Sequence, residues 1–446
     1  MKRESTSKSD KDKITLAGAI AMGTGVMIGA GIFALTGEIA NYSGSYFIWA
    51  FIAAGLVAGL TSYTYIKMSN AYPSSGGIGM ILVKAYGKTT LAAWGAVLML
   101  FSMIINQSLV ARTFGNYIVQ SNFVNLDSSS VTILGVGLII VSFLVNILSN
   151  KAIQWLQYFG AFFKAVGLVF LAIGGLMASG VDISAITSGG GQESTGILQF
   201  IGSVAIGVLA FKGFTTITNS GGEITKPHKN VGRAIIYTLL ICVGVYLFVT
   251  VAVSSSLSIQ EIIEAKNYSL AEAARPTYGQ LGVNITVIVA IIATITGIIA
   301  SMFAVSRMLT MLTKMRLVPH KHFGMPGDIH KHILVYIAVM AAGLTIVFDV
   351  SRIAAMGAFF YIVMDMLIHY GVLKNADRSE VKFKPYILMI ALIVDAIILT
   401  GLTYIKIKDD PQLIAYTLLT MGIIYGYEKY FLKHPQQSDV QQSHRM

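Results

Sequence analysis

The sequence predicts an all-α polytopic membrane protein of twelve transmembrane helices, and three observations predict it. Charged residues make up 12% and hydrophobic residues 55% of the 446, with a mean hydropathy of +0.70. Globular domains carry roughly 25% charged residues, so half the usual charge would have to cover this chain. Apolar runs of about 20 residues, the length that crosses a hydrocarbon core of ~30 Å, recur along it. Lysine and arginine, finally, gather in alternate loops. With the N-terminus on the inner side, that side holds 24 of the 32 Lys and Arg residues. The outer loops hold six (Arg112, Lys266, Arg275, Arg352, Lys406 and Lys408), and Lys164 and Lys212 fall within membrane segments. This asymmetry is the positive-inside pattern and predicts a multi-pass cell-membrane protein with both termini cytoplasmic.

The twelve segments fall at roughly 14–41, 45–69, 91–118, 131–149, 153–179, 196–219, 233–256, 282–313, 333–349, 352–373, 385–404 and 411–431. Residues 1–13 and 432–446 read as cytoplasmic tails, the first too polar and its following span too long for a signal peptide. Segment 1 carries GVMIGAGIFALTG (25–37), with four glycines, Gly25, Gly29, Gly31 and Gly37, in mid-span. Segment 6 carries IGVLAFKGFTT (206–216), again interrupted by glycine. The two lie five segments apart, an odd number, so they enter the membrane from opposite sides. That is the pattern of an inverted repeat, helices 1–5 (14–179) against helices 6–10 (196–373), with two helices (385–431) appended. Glycine-interrupted segments at matching positions of two halves point to a transporter's substrate site.

A broken helix has a use in lipid. An intact helix satisfies its own backbone, whereas a break frees N–H groups with partial positive charge and C=O groups with partial negative charge. Two broken helices crossing at mid-membrane can hold the carboxylate and amine of an amino acid. The competing use of glycine in membrane helices is close helix packing, the role expected for Gly18, Gly55, Gly59 and Gly95.

Other classes fit poorly. The formal charge of +11 is spread over alternate loops rather than one face, so no nucleic-acid partner is expected. There is no HExxH, no GxSxG and no Cys/His cluster, so neither an enzyme nor a metal site is expected. His320, His322, His330 and His332 have a spacing that could bind metal in a loop, but they read first as a basic cytoplasmic rim. Cys242 is the one cysteine and cannot form an intrachain disulfide. The oligomeric state, monomer or weak oligomer, stays open.

GTGVMIGAGIFALTG (23–37), FKGFTTITNSGGEITKPHKNVGRAI (211–235) and YSLAEAARPTYG (268–279) resemble amino-acid permeases of the amino acid–polyamine–organocation superfamily. The likeness runs in order to about segment 10. It implies the five-plus-five inverted repeat of the LeuT type, discontinuous helices 1 and 6, and alternating access around a central site. Two positions depart from the family pattern: Lys226 stands where an Asn is usual, and Gly232 where a Pro is usual. By position, the resemblance implies that the substrate carboxylate meets backbone N–H groups around Gly29, Ala30 and Gly31. The amine would meet carbonyls near Met27, Leu209 and Lys212, and Phe211 and Phe214 would cover or gate the site, Phe214 being equally readable as lipid-facing.

The stretch KAIQWLQYFGAFFK (151–164) resembles proton-coupled members of the family with a lysine in helix 5. The resemblance puts the Lys164 ammonium where relatives bind sodium, near the carbonyl of Gly25 and the hydroxyl of Thr296, with Thr294 a less favoured alternative. A lysine at the bilayer centre costs about 2.5–3.5 kcal/mol on insertion scales, and such residues usually work. Desolvation disfavours the charged form, so a buried lysine can release and regain a proton. Lys212 has two readings: pairing with an intramembrane acid such as Asp365 or reaching a vestibule, or facing the site and disfavouring cationic substrates. Asn106 and Gln107 are polar candidates for the cavity. The expectation is a transporter without cofactor that couples uptake of a small neutral or acidic amino acid to protons. Exchange without proton coupling is the alternative.

Overall fold

Thr15 opens the first helix, its hydroxyl accepting the Gly18 N–H at 3.1 Å and so satisfying one of the donors a helix start leaves free. In the computed structural model, which describes residues 13–121, 125–148, 150–180, 196–318, 329–376 and 379–433, the chain then runs through sixteen α-helices. The first half contains α1 (Leu16–Ser43), α2 (Phe47–Ala71), α3 (Gly77–Tyr86), α4 (Thr90–Val119), α5 (Ser130–Leu148) and α6 (Asn150–Ser179). The middle contains α7 (Ile197–Phe211), α8 (Phe214–Asn219), α9 (Pro227–Ser256), α10 (Ile259–Ala265), α11 (Ser269–Ala273) and α12 (Arg275–Lys314). The chain ends with α13 (Ile329–Val347), α14 (Val350–Asn375), α15 (Pro385–Asp409) and α16 (Pro411–Lys433). The tails at 1–12 and 434–446, and His320 and His322 of the expected basic rim, lie outside the described residues.

Local chemistry explains most of the boundaries. Proline stands in the first turn of α9, α12 and α15, where its missing N–H costs nothing. Asp349 caps α14 by accepting the Arg352 N–H at 2.8 Å. Ser258 and Glu261 cap α10 reciprocally. Among the described residues, ten stretches are long and apolar enough to cross a membrane. The first of them, Leu16–Ala71, holds both α1 and α2, and α16 is not among them.

The exposed and buried faces sort the helices into an inner and an outer set. Large apolar side chains are exposed on α5 (Ile133, Leu144), α13 (Val339) and α15 (Ile393), as a hydrocarbon solvent allows. The inner set is α1, α4, α7, α8, α12 and α14, with Phe33, Leu98, Phe211, Phe214, Ala293 and Phe360 all buried. Among the described residues the β-structure is a parallel bridge between Ile14 and Ile224. Ile14 N–H donates to the Glu223 carbonyl at 2.8 Å, and Thr225 N–H donates to the Ile14 carbonyl at 2.9 Å.

The two expected breaks come out differently. Segment 6 is broken: α7 stops at Phe211, α8 starts at Phe214, and Lys212 and Gly213 lie between. Segment 1 is not, because α1 is one uninterrupted helix from Leu16 to Ser43. Its glycines serve close approach instead. A Cβ on Gly29 would lie 2.9 Å from the Ala293 carbonyl oxygen and 3.2 Å from the Gly297 Cα on α12. A Cβ on Gly31 would collide with the Tyr246 hydroxyl and come within 2.9 Å of Ala210 on α7. The packing use of glycine therefore governs helix 1, and the inner helices cross at backbone distance because of it.

Candidate functional site

The break in segment 6 is seated on α1. Gly213 has no room for a side chain, since a Cβ there would lie 2.7 Å from Met27 Cγ and 2.9 Å from both Met27 N and the Gly23 carbonyl. One turn further along α1, Gly31 abuts Ala210. The structure thus brings Met27 and Gly31 to the two ends of the interruption formed by Phe211, Lys212 and Gly213. Ala30 lies between them on α1. Gly29 faces elsewhere, toward α12, and Leu209 reaches Gly357 of α14, where a Cβ would lie 3.5 Å from its Cδ1.

Aromatic rings close over this contact. Tyr246 of α9 donates its hydroxyl to the Ala210 carbonyl at 3.2 Å, packs on Phe211 with ring centroids 4.9 Å apart, and meets Phe51 edge-on at 5.9 Å. Past the break, Phe214 meets Tyr65 edge-on at 5.2 Å. Phe214 is fully buried, so the lipid-facing alternative for it is wrong: the turn at Lys212–Gly213 rotates it inward. Tyr246 escaped the sequence reading because nothing marks one tyrosine in the apolar run ICVGVYLFV as aimed at a broken helix.

Lys212 is 3% exposed, and its Nζ donates to the Ser102 carbonyl at 2.8 Å and to Ser102 Oγ at 2.9 Å. Ser102 Oγ in turn donates to the Gly357 carbonyl at 3.0 Å. The ammonium therefore ties the break to α4 and, through Ser102, to α14. The expected pairing with Asp365 does not occur. That carboxylate instead accepts the Tyr65 hydroxyl at 2.5 Å and faces His369. Ser102 lies 110 positions from Lys212, and no local signal could have linked them. Of the polar candidates on α4, Gln107 is fully buried with neither amide atom hydrogen-bonded.

Lys164 of α6 is fully buried. Its Nζ donates to the Gly25 carbonyl of α1 and to Thr296 Oγ1 of α12, each at 3.1 Å. Thr296 Oγ1 can accept this bond because its own proton goes to the Ile292 carbonyl at 2.8 Å. Thr294 spends its hydroxyl on the Ala290 and Ile291 carbonyls and has no part in the contact. Gly160 lets α6 approach, since a Cβ there would run into the Thr296 side chain. Gln157, absent from the sequence reading, donates to the Thr296 carbonyl at 2.8 Å and leaves its Oε1 without a partner. Like Lys212, Lys164 forms no ion pair among the described residues. Among the described residues these two buried lysines thus rest on carbonyl and hydroxyl oxygens.

The two departures from the permease pattern have local reasons. Lys226 caps the start of α9 in the left-handed region, at φ 46° and ψ 58°, which asparagine tolerates better than other side chains. Gly232 donates its N–H to Asn70 Oδ1 at 3.0 Å, a bond proline could not make.

A bundle of long apolar helices closed around a broken helix, with lysines at the helix crossings, defines a polytopic membrane transporter. Residues 14–424 match the family described as amino acid permease, and the chain belongs to that family; it is a transporter and not an enzyme. It is similar to the inner membrane transport protein YbaT of Escherichia coli, 26% identical over 394 residues that cover 86% of this chain and 88% of YbaT. It is similar to the uncharacterized protein MJ0609 of Methanocaldococcus jannaschii, 30% identical over 60% of this chain and 61% of that protein. The serine/threonine exchanger SteT of Bacillus subtilis is 24% identical over 66% of this chain and 67% of SteT.

Proposed function

We propose that this permease is a proton-coupled symporter that imports a small neutral or acidic amino acid by alternating access, with no cofactor and H⁺ as the coupling ion. It crosses the cell membrane twelve times with both termini cytoplasmic, as two inverted five-helix repeats (14–179 and 196–373) followed by two further helices (385–431). The packing supports the repeat. α4 lies against α14 as α12 lies against α6, and α1 lies against α9 as α7 lies against α2, the pairings that exchanging the halves requires.

One observation carries the proposal: the Lys164 amine joins α1 to α12 through Gly25 and Thr296. As an ammonium carried by α6 it ties the inner helices α1 and α12 together in the manner of a bound cation. As a neutral amine it loses the charge that strengthens both bonds, and the two helices can part. The substrate binds where Met27 and Gly31 meet Phe211, Lys212 and Gly213. Its carboxylate takes N–H groups near Ala30 and Gly31, which α1, intact in this structure, would free only in another state of the transport cycle, and its amine takes a carbonyl of the Leu209–Lys212 stretch. Lys212 donates to Ser102 oxygens and forms no ion pair among the described residues, so its positive charge disfavours cationic substrates.

The test is accumulation by wild-type protein in sodium-free proteoliposomes under an imposed inward proton gradient. Gradient-driven accumulation, lost in Lys164→Ala and not restored in Lys164→Arg, is expected, because a guanidinium stays protonated throughout. A wild type that ignores the gradient refutes the coupling. The similarity to an exchanger favours a second reading, obligate exchange. That reading requires uptake to depend on amino acid loaded inside the vesicles, whatever the pH gradient.

A further inference from the structure

Away from the broken helix, three buried ionisable side chains from two helices meet. Asp365 and His369 lie one turn apart on α14, and Asp395 faces them from α15. All three are at most 1% exposed. One ligand atom from each, a carboxylate oxygen or a ring nitrogen, lies within 4.8 Å of the other two. The transport scheme above uses none of them.

Their geometry is not that of an ordinary hydrogen-bonded cluster. His369 Nε2 stands 3.5 Å from Asp365 Oδ1 and 3.6 Å from Asp395 Oδ2. A charge-assisted N–H···O bond contracts to about 2.7–2.9 Å, so Nε2 donates to neither carboxylate. Nε2, Asp365 Oδ2 and Asp395 Oδ2 all lack hydrogen-bond partners. No lysine or arginine among the described residues pairs with either acid. Two acids and an imidazole nitrogen buried in this way are costly unless something charged satisfies them.

The separations fit a metal better. Oxygen and nitrogen ligands at about 2.0–2.1 Å from a tetrahedral zinc lie about 3.3–3.4 Å from one another, close to the 3.5 and 3.6 Å observed. The surrounding contacts have the form that orients metal ligands. The other ring nitrogen, Nδ1, is held by Thr64 Oγ1 at 2.9 Å, which leaves Nε2 turned toward the carboxylates. Tyr65 donates to Asp365 Oδ1 at 2.5 Å and stacks edge-on against the imidazole at 6.4 Å.

We propose that Asp365, His369 and Asp395 bind one divalent transition-metal ion of the zinc class, with water or the second Asp365 oxygen as fourth ligand. One histidine and two carboxylates form a ligand set suited to such a borderline ion. The ion neutralises both acids and fastens α15, which lies outside the two five-helix repeats, to α14. Its role is structural, since all three ligands are buried between α14 and α15.

Purified full-length protein is stripped with a chelator, incubated with zinc, passed through a desalting column and assayed for metal and thermal stability. The wild type is expected to retain about one zinc per chain and to melt higher with zinc than without, because a ligand of the folded state stabilises it. His369→Gln and Asp395→Asn should each lower zinc affinity at least about tenfold, whereas His330→Gln with His332→Gln should not. Wild type that retains no more zinc than His369→Gln, or that gains no thermal stability from it, overturns the proposal and leaves a proton-sharing carboxyl pair. If the variants fail to fold, cobalt loading of the wild type decides: tetrahedral d–d bands support the site, and octahedral or absent bands overturn it.

Discussion

Replacing Thr296 by valine tests the Lys164 contact without touching the lysine. Valine keeps the volume and β-branching of threonine but loses the oxygen that accepts from Lys164 at 3.1 Å. The Gln157 bond goes to the backbone carbonyl of residue 296 and survives. The Gly25 carbonyl then remains as the acceptor identified for Nζ. A hydrogen bond to a charged group contributes about 1.5–3 kcal/mol, which is roughly a 10- to 150-fold change in the balance between ammonium-bridged and released states. Thr296→Ser restores the oxygen and should transport nearly as wild type. The assay is substrate accumulation in sodium-free proteoliposomes at a fixed pH gradient, normalised to folded protein by gel filtration. Thr296→Val should accumulate at least about tenfold less than Thr296→Ser. Equal accumulation by the two variants would mean that the Thr296 bond takes no part in coupling, and the bridging role of Lys164 would fall with it.

Other expectations follow from contacts already described. Gly31→Val forces a branched side chain into Ala210 and Tyr246; overpacking of this kind costs about 1–3 kcal/mol or more, and uptake should be abolished while monodisperse protein is still recovered. Lys212→Met removes both bonds to Ser102 and should shift the ranking of cationic against acidic substrates in competition assays; a uniform drop with the ranking unchanged refutes a site-facing charge. Lys226→Gly relieves a left-handed backbone that costs an ordinary residue about 1–2 kcal/mol, so its melting temperature should rise, and a fall would show that the lysine side chain is needed. In the loop after α9, the Ser258 hydroxyl and N–H both donate to Glu261 and hold its carboxyl below the ordinary range. A carboxyl depressed in the folded state stabilises above its ordinary value near about 4 and ceases to as pH falls through the lowered one. Hydrogen-exchange protection of 259–265 should therefore drop on acidification in the wild type and be lower at neutral pH in Ser258→Ala.

How much was legible depended on whether the signal was local. The helices were, because an apolar run of spanning length can satisfy its backbone in lipid only as a helix. The broken segment 6 was legible too, since FKGF sets a charge and a glycine in mid-span. Segment 1 carries the same glycine signature, yet α1 is unbroken. Unwinding and close packing both call for a missing Cβ, and only the presence of Ala293 and Tyr246 across the gap distinguishes them. Lys164 could be located through the resemblance, which named Gly25 and Thr296 as its surroundings. Gln157 could not, because its partner lies 139 positions away. Asp365 and His369 stand one turn apart on one helix, but the sequence did not single out the pair, because its meaning depends on Asp395, supplied by the next helix.

The paired backbone bonds at Ile14 give the start of the chain a mechanical connection to the broken helix. Ile14 exchanges hydrogen bonds with Glu223 and Thr225, a few residues beyond the end of α8 at Asn219. It is also two residues ahead of the first residue of α1. The head of one central helix and the tail of the other are thus buttoned together at their termini, besides touching at the break. Moving one of these ends away from the other breaks both bonds.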